Sequence, residues 1–184
     1  MGGVPALTTP NLAVHESFVR AMDDFAGEGR GAPGDHSALG TDIVTYAPVW
    51  RAVAGFQTFL QSLRQAADRS VAPPAGWVHS STFWWVQDSE FLGSIRVRHA
   101  LTPSLLQIGG HIGYDVAPAA RRQGHGTAML RAVLPAAAEL GIDQALVTCD
   151  HDNVGSRRII EANGGVLEDE RDGKLRYWVP TGHS

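Results

Sequence analysis

The chain is poor in cysteine. Cys149 is the only one among 184 residues, so no internal disulfide can form, and a reducing compartment is expected. No apolar run approaches the length of a transmembrane span. The first residues lack the basic and apolar regions of a secretory signal. The expectation is a cytoplasmic protein with no membrane partner. Strong charge of either sign is missing as well. A net charge of −4 argues against bulk nucleic-acid binding, while permitting a local basic site. There is no internal repeat and no low-complexity tract. A hydrophobic content of 43% and a charged content of 18% are ordinary for a globular protein. The simplest organisation is one domain over 1–184, large enough to bury about 70% of its unfolded surface.

The most informative stretch is 108–130. It reads as a strand ending near Val116, stopped by Pro118, then Arg121-Arg122-Gln123-Gly124-His125-Gly126, then a helix. Leu130, Val133, Ala137 and Leu140 recur at helical spacing. The first N–H groups of a helix lack partners and sit at the positive end of its dipole. Two glycines let a bulky anion approach the backbone, and two arginines add cationic donors. A pyrophosphate fits such a cradle.

The letters exclude two common cradles. A Walker loop needs a lysine where Gly126-Thr127 stands, and a dinucleotide fingerprint needs a small residue where Met129 stands. Arg121-x-x-Gly124-x-Gly126 instead resembles motif A of the GCN5-related N-acetyltransferases (GNAT). Downstream, a strand at 145–149, then Asn153-Val-Gly-Ser156 and a helix closing at Gly164-Gly165, resembles that family's Asn-x-x-Ser/Ala signature. The resemblance covers about 78–179. Gly-Gly-His-Ile-Gly-Tyr-Asp-Val, Thr-Cys-Asp-x-Asp-Asn and Arg-Tyr-Trp are similar to a subgroup of predicted acetyltransferases whose substrates are mostly unassigned. The resemblance implies an α/β (α+β) GNAT fold: a mixed, mostly antiparallel sheet of about six or seven strands, about four helices and a central V-shaped opening. It implies an acetyl-CoA-binding core at 77–179 and a helical, acceptor-side part at 1–76.

Elsewhere, Val4–Thr8 reads as a first strand. A helix follows Pro10-Asn11 with Phe18, Met22 and Phe25 on one face, and fails near Gly27. Residues 27–40 read as a mobile loop, either a connector or a substrate lid. Phe56, Phe59, Leu60 and Leu63 mark a second helix. Strands are expected at 77–86 and 91–99 around Gln87-Asp88-Ser89, with Trp84-Trp85 serving packing. A third strand is expected over 105–116. Pro135 predicts a kink or break, Gly141 a helix cap, and Asp172-Gly173 a final hairpin.

The implied activity is an N-acetyltransferase that moves an acetyl group from acetyl-CoA to a primary amine of a small molecule or peptide, by direct attack in a ternary complex and without a metal. The resemblance places the cosubstrate on Arg121, Arg122, Gln123, Gly124, His125, Gly126 and Thr127, with Asn153 and Ser156 beside the pantetheine; N-capping is the plainer role for Asn153. The Val116 N–H would polarise the thioester carbonyl. The proton acceptor is less evident. His111 is the right type but lies out of phase with Val116 unless a bulge re-aims it; a hydrogen-bonded core histidine is the alternative. Ile160 replaces the tyrosine that many members use as a general acid. Tyr177 is a distant substitute, more simply a packing residue. Arg157 and Arg158 either reach a coenzyme phosphate or form a solvated face. Cys149 reads as a small buried hydrophobe rather than an acyl carrier. Two rivals stay open: a non-catalytic acyl-CoA sensor and a nucleotide-phosphate binder. A homodimer is common in the family.

Overall fold

Local signals set most elements. The computed structural model describes residues 2–182; Met1, His183 and Ser184 of the 1–184 range lie outside the described residues. Strand β1 (Ala6–Thr8) is shorter than expected. Asn11 Oδ1 accepts from the Ala13 N–H at 2.9 Å and starts a 3-10 turn that runs into α1 (His15–Gly27). Helix α1 stops at Gly27, as the apolar stripe predicts.

The reading of 27–40 as irregular holds over 28–37 and fails at its last three residues. Ser37 Oγ accepts from the Gly40 N–H at 3.0 Å and caps α2 (Ala38–Tyr46), which buries Leu39 and Ile43 on one face. The glycine count hid a capped helix. Helix α3 (Val53–Ala67) buries the four predicted residues. Strand β2 (Ser80–Gln87) begins three residues late, leaving Trp77 63% exposed in a turn. It pairs with β3 (Glu90–Arg98).

The predicted strand at 105–116 starts as helix at 105–107 and is irregular over 108–111. Thr102 Oγ1 accepts from the Leu105 N–H, Pro103 supplies the fixed φ of a first helical residue, and α4 (Pro103–Gln107) forms. Only β4 (Ile112–Val116) is extended. Helix α5 (His125–Glu139) continues past Pro135 without a break, so of the two expected outcomes a break is ruled out; one further turn follows before Gly141, at φ 83°, ends it. Strand β5 (Gln144–Asp150), helix α6 (Val154–Ala162) and the hairpin of β6 (Val166–Arg171) with β7 (Lys174–Pro180) complete the chain. Among the described residues the α-helices number six rather than about four.

The seven strands lie in the order β1-β2-β3-β4-β5-β7-β6. All neighbours are antiparallel except β4 and β5. Two apolar clusters cover the two faces. Phe18 centres the first, stacked on Trp84 at 5.0 Å and edge-on to Trp50 at 5.1 Å beneath α1–α3. The second joins Ile95, Val97, Met129, Leu130 and Val147 beneath α5 and α6. Trp84 and Trp85 alternate between them, one per face, as adjacent strand residues must. Among the described residues, no helix is long and apolar enough to cross a membrane.

Phe18 is buried against five aromatic rings. Phe18→Ala is expected to cost about 3–5 kcal/mol in urea unfolding. A loss under about 1 kcal/mol would mean that the first cluster does not hold α1 to the sheet.

Candidate functional site

The site begins where two strands part. Strands β4 and β5 share one residue pair, Ile112 with Val147. Beyond it nothing on β5 faces the tip of β4. The Ala117 N–H donates to Leu92 O at 2.9 Å, on the β3 side. Strand alternation then turns the Val116 N–H the other way, into the gap.

The turn after β4 is built as a cradle. Pro118–Ala120 forms a 3-10 turn, Arg122 sits at φ 61°, and Gly124, at φ 83°, occupies the N-cap of α5. A Cβ on Gly124 would meet only open space, so this glycine serves the backbone conformation and leaves the approach clear. Among the described residues, no N–H from Gln123 to Thr127 donates to another protein group. Gly126 has a different reason: a Cβ there would stand 2.5 Å from Ile159 Cδ1 and 3.4 Å from Val116 Cγ2. It lets α5 sit against α6 rather than admitting the ligand.

The cationic groups are less free than their sequence suggests. Arg121 grips Glu28 with both ends of its fork, at 2.8 Å each, and donates through Nε to Val116 O at 3.2 Å. Arg122 is exposed. The His125 side chain is half-buried, and Nδ1 accepts from Trp85 Nε1 at 3.2 Å. Gln123 donates to Ala119 O.

On the far side of the gap, Asn153 Oδ1 accepts from the Ser156 N–H at 3.0 Å and caps α6, the plainer of its two expected roles. Ser156 Oγ lies 2.7 Å from the Tyr114 hydroxyl. Burial holds the Tyr114 hydroxyl far above the usual phenol range, so it stays protonated. Burial also pushes the Cys149 thiol up. Ile160 is fully buried, and Tyr177 packs in the core with its hydroxyl donating to Glu161 at 3.1 Å. Arg157 pairs with Glu161 one turn on.

Two cavities meet at this gap. One, of about 610 Å³, is lined by Val116 and the cradle. The other, of about 1010 Å³, runs over the sheet face beneath α2 and α4. Arg30, Tyr114, Asp115, Asn153 and Ser156 line both. His111 lines neither, and its Nδ1 accepts from the Leu146 N–H at 2.9 Å. Burial, and then Arg98, push its pKa down. The side chain takes the place of a missing ladder carbonyl, which is its expected core role.

Sequence reasoning missed the charged wall of the larger cavity. Arg30, in the connector after α1, donates to Asp115 on β4 at 2.8 Å and to Asp35 at 3.2 Å. Arg96 on β3 donates to Asp42 on α2 at 2.8 Å. Burial raises the Asp42 pKa, Arg96 opposes this, and Asp115 adds to it. The connector expected to be mobile is thus stapled to the gap. Burial favours a neutral Asp35, but its bonds from the Ser37 side chain, the Gly31 and Ser37 N–H groups and Arg30 prevail, holding its carboxyl well below the usual range. Among the described residues there is no cluster of three or more metal-ligating side chains.

The family model described as "Acetyltransferase (GNAT) domain" matches residues 35–166. A search among curated proteins finds no significant match. Among solved structures, Mycobacterium smegmatis RimJ in complex with CoA-disulfide aligns with a TM-score of 0.65 at 19% identity, covering 97% of this chain and 82% of that one. The microcin C7 self-immunity acetyltransferase MccE, in complex with acetyl-CoA and AMP, gives 0.62 at 12%, covering 95% and 91%. RimL, a ribosomal L7/L12 α-N-protein acetyltransferase in complex with coenzyme A, gives 0.61 at 14%, covering 95% and 92%. At these identities the likeness is one of fold.

A carboxyl held low in the folded state stabilises above its unfolded pKa, near 4, and that contribution fades as pH falls through the folded value. The Tm gap between wild type and Asp35→Asn, by calorimetry, is therefore expected to narrow from about pH 5 to about pH 3. A constant gap would mean that Asp35 does not hold the connector as a carboxylate.

Proposed function

The chain belongs to the GNAT acetyltransferase family, and from that premise we propose that it transfers an acetyl group from acetyl-coenzyme A to a primary amine in a ternary complex. The observation that carries this reading is the shared wall of the two cavities: one lined by the phosphate cradle, the other by the charged side chains under α2, with Tyr114 and Asp115 lining both. Acetyl-coenzyme A supplies the thioester.

Each residue then has one task. The amides from Gln123 to Thr127 hold the pyrophosphate, with Arg122 above them. Arg121 contributes once its fork releases Glu28. Asn153 and Ser156 flank the pantetheine arm. The Val116 N–H, aimed into the gap, stabilises the oxyanion of the tetrahedral intermediate. Holding both reactants at one wall supplies part of the rate by proximity.

We assign the amine's proton to Asp115 in preference to His111. Asp115 reaches both cavities, and Arg30 engages only its Oδ1, whereas His111 reaches neither and spends Nδ1 on Leu146. Asp115 draws the ammonium to the wall and takes its proton, directly or through one water. The Tyr114–Ser156 pair replaces the tyrosine missing at Ile160 and returns a proton to the departing thiolate. Burial keeps the Tyr114 hydroxyl protonated, so it can donate a hydrogen bond to the thiolate as charge develops.

Gly124→Glu puts a side chain and a negative charge into the cradle. Acetyl-CoA affinity by calorimetry is expected to fall at least about tenfold, well beyond any loss in Gly124→Ala, which meets only the φ strain. Unchanged affinity would mean that the cofactor binds elsewhere.

In thiol-release assays over a panel of amines, Asp115→Asn is expected to lower kcat about 100-fold and Tyr114→Phe about tenfold, with acetyl-CoA affinity retained. Full activity in both variants would remove the proposed acid and base. Tight acetyl-CoA binding with no turnover on any amine by the wild type would favour a sensor instead.

A further inference from the structure

The larger cavity carries an uneven charge. Near the gap, Arg30 serves two carboxylates, Asp35 and Asp115, leaving one negative charge in excess. Midway, Arg96 and Asp42 balance, and on the opposite wall Lys174 and Asp150 pair at 2.5 Å. At the far end stands Arg98. Among the described residues it has no carboxylate within 4 Å, and it is the only cation lining this cavity of which that is true. Its Nη1 donates to the carbonyls of Gly109 and Gly110, at 3.2 and 3.1 Å, which leaves Nη2 and Nε without a protein acceptor. A half-buried guanidinium without a counter-charge is costly to keep. Burial, and then the like charge of Arg96, act against its charged form.

We propose that Arg98 is an anion-binding subsite for the acceptor, and that the acceptor is an amine carrying a carboxylate about 13 Å from its nitrogen. The inference rests on the acetyltransferase reading of the cleft and names the acceptor class. Register sets the spacing. Ser94 faces Asp115 across β3 and β4, and Arg98 lies four residues further along β3 on the same face, about 13 Å away. An extended peptide of four residues spans about 13–14 Å. Its ammonium then meets the excess negative charge at Asp115, and its carboxylate meets Arg98. The carboxylate comes either from a free C-terminus or from an acidic side chain at that distance.

The test uses calorimetry in the presence of saturating coenzyme A, on wild type, Arg98→Met and Arg98→Lys, with three probes. Tetraglycine carries the free carboxylate, tetraglycine amide lacks it, and Gly-Gly-Asp-amide moves it to a side chain. In the wild type, tetraglycine is expected to bind about tenfold or more tighter than its amide. In Arg98→Met the ratio falls to about one, and in Arg98→Lys it lies between, since a point charge keeps attraction and loses the fork. Preference for Gly-Gly-Asp-amide over tetraglycine assigns the anion to a side chain, and the reverse assigns it to a C-terminus. Equal binding of acid and amide by the wild type, a preference that survives in Arg98→Met, or no binding of any probe would each overturn the proposal. Separate titrations of coenzyme A into each variant, expected to give the wild-type affinity, check that the variants are folded. Discrimination through Arg98 with no thiol release on any probe would uphold the subsite and sink the acetyltransferase reading.

Discussion

The architecture turns on an unfinished hydrogen-bond ladder. Parallel strands inside a sheet normally pair along their length, because an interior backbone group without a partner costs as much as a lost hydrogen bond. Here β4 and β5 share one pair and then separate. The polar groups at the tip of β4 face a gap rather than a neighbour. An edge in the middle of a sheet is tolerable only if something else fills it, and the depth of the cleft follows from that one departure.

The separation is held by packing on both faces. Below, Met129, Leu130 and Val133 of α5 bury against β3, β4 and β5 and fix the start of the helix under the gap. Above, the aromatic cluster around Phe18 seats α1 on β2 and β3, and Ser17 reinforces the seat by donating to Ser89 O and accepting from the Phe91 N–H. The connector leaving α1 therefore arrives over the gap from a rigid base, and Arg30 needs only its own length to reach Asp115. Glu28, two residues earlier in that connector, reaches Arg121 on the opposite rim.

What could be read from the sequence was local. The cradle, the α6 cap and the last hairpin are each specified within a few residues, by glycines, an asparagine or an Asp-Gly turn, and the structure has all three. Errors arose where local signals conflicted. Glycines around 27–40 masked the Ser37 cap, and β-formers after 105 masked the Thr102-Pro103 helix start. The charged wall was illegible for another reason: Arg30, Asp42, Arg96 and Asp115 lie on four separate segments, and no spacing rule relates them. His111 carried two readings that its sequence position could not separate. Its chemical type suggested a base, while its use is to stand in for a backbone carbonyl.

The tight seat at Gly126 links α5 and α6 through packing alone. Ile159 and Val116 already occupy the space that a side chain would need. Enlarging position 126 therefore demands that position 159 shrink, and a bulkier residue at 159 would lever the first turn of α5 away from the tip of β4. The two sites are free to drift only as a couple, so α6, which makes no part of the phosphate cradle, sets the tolerance of its shape.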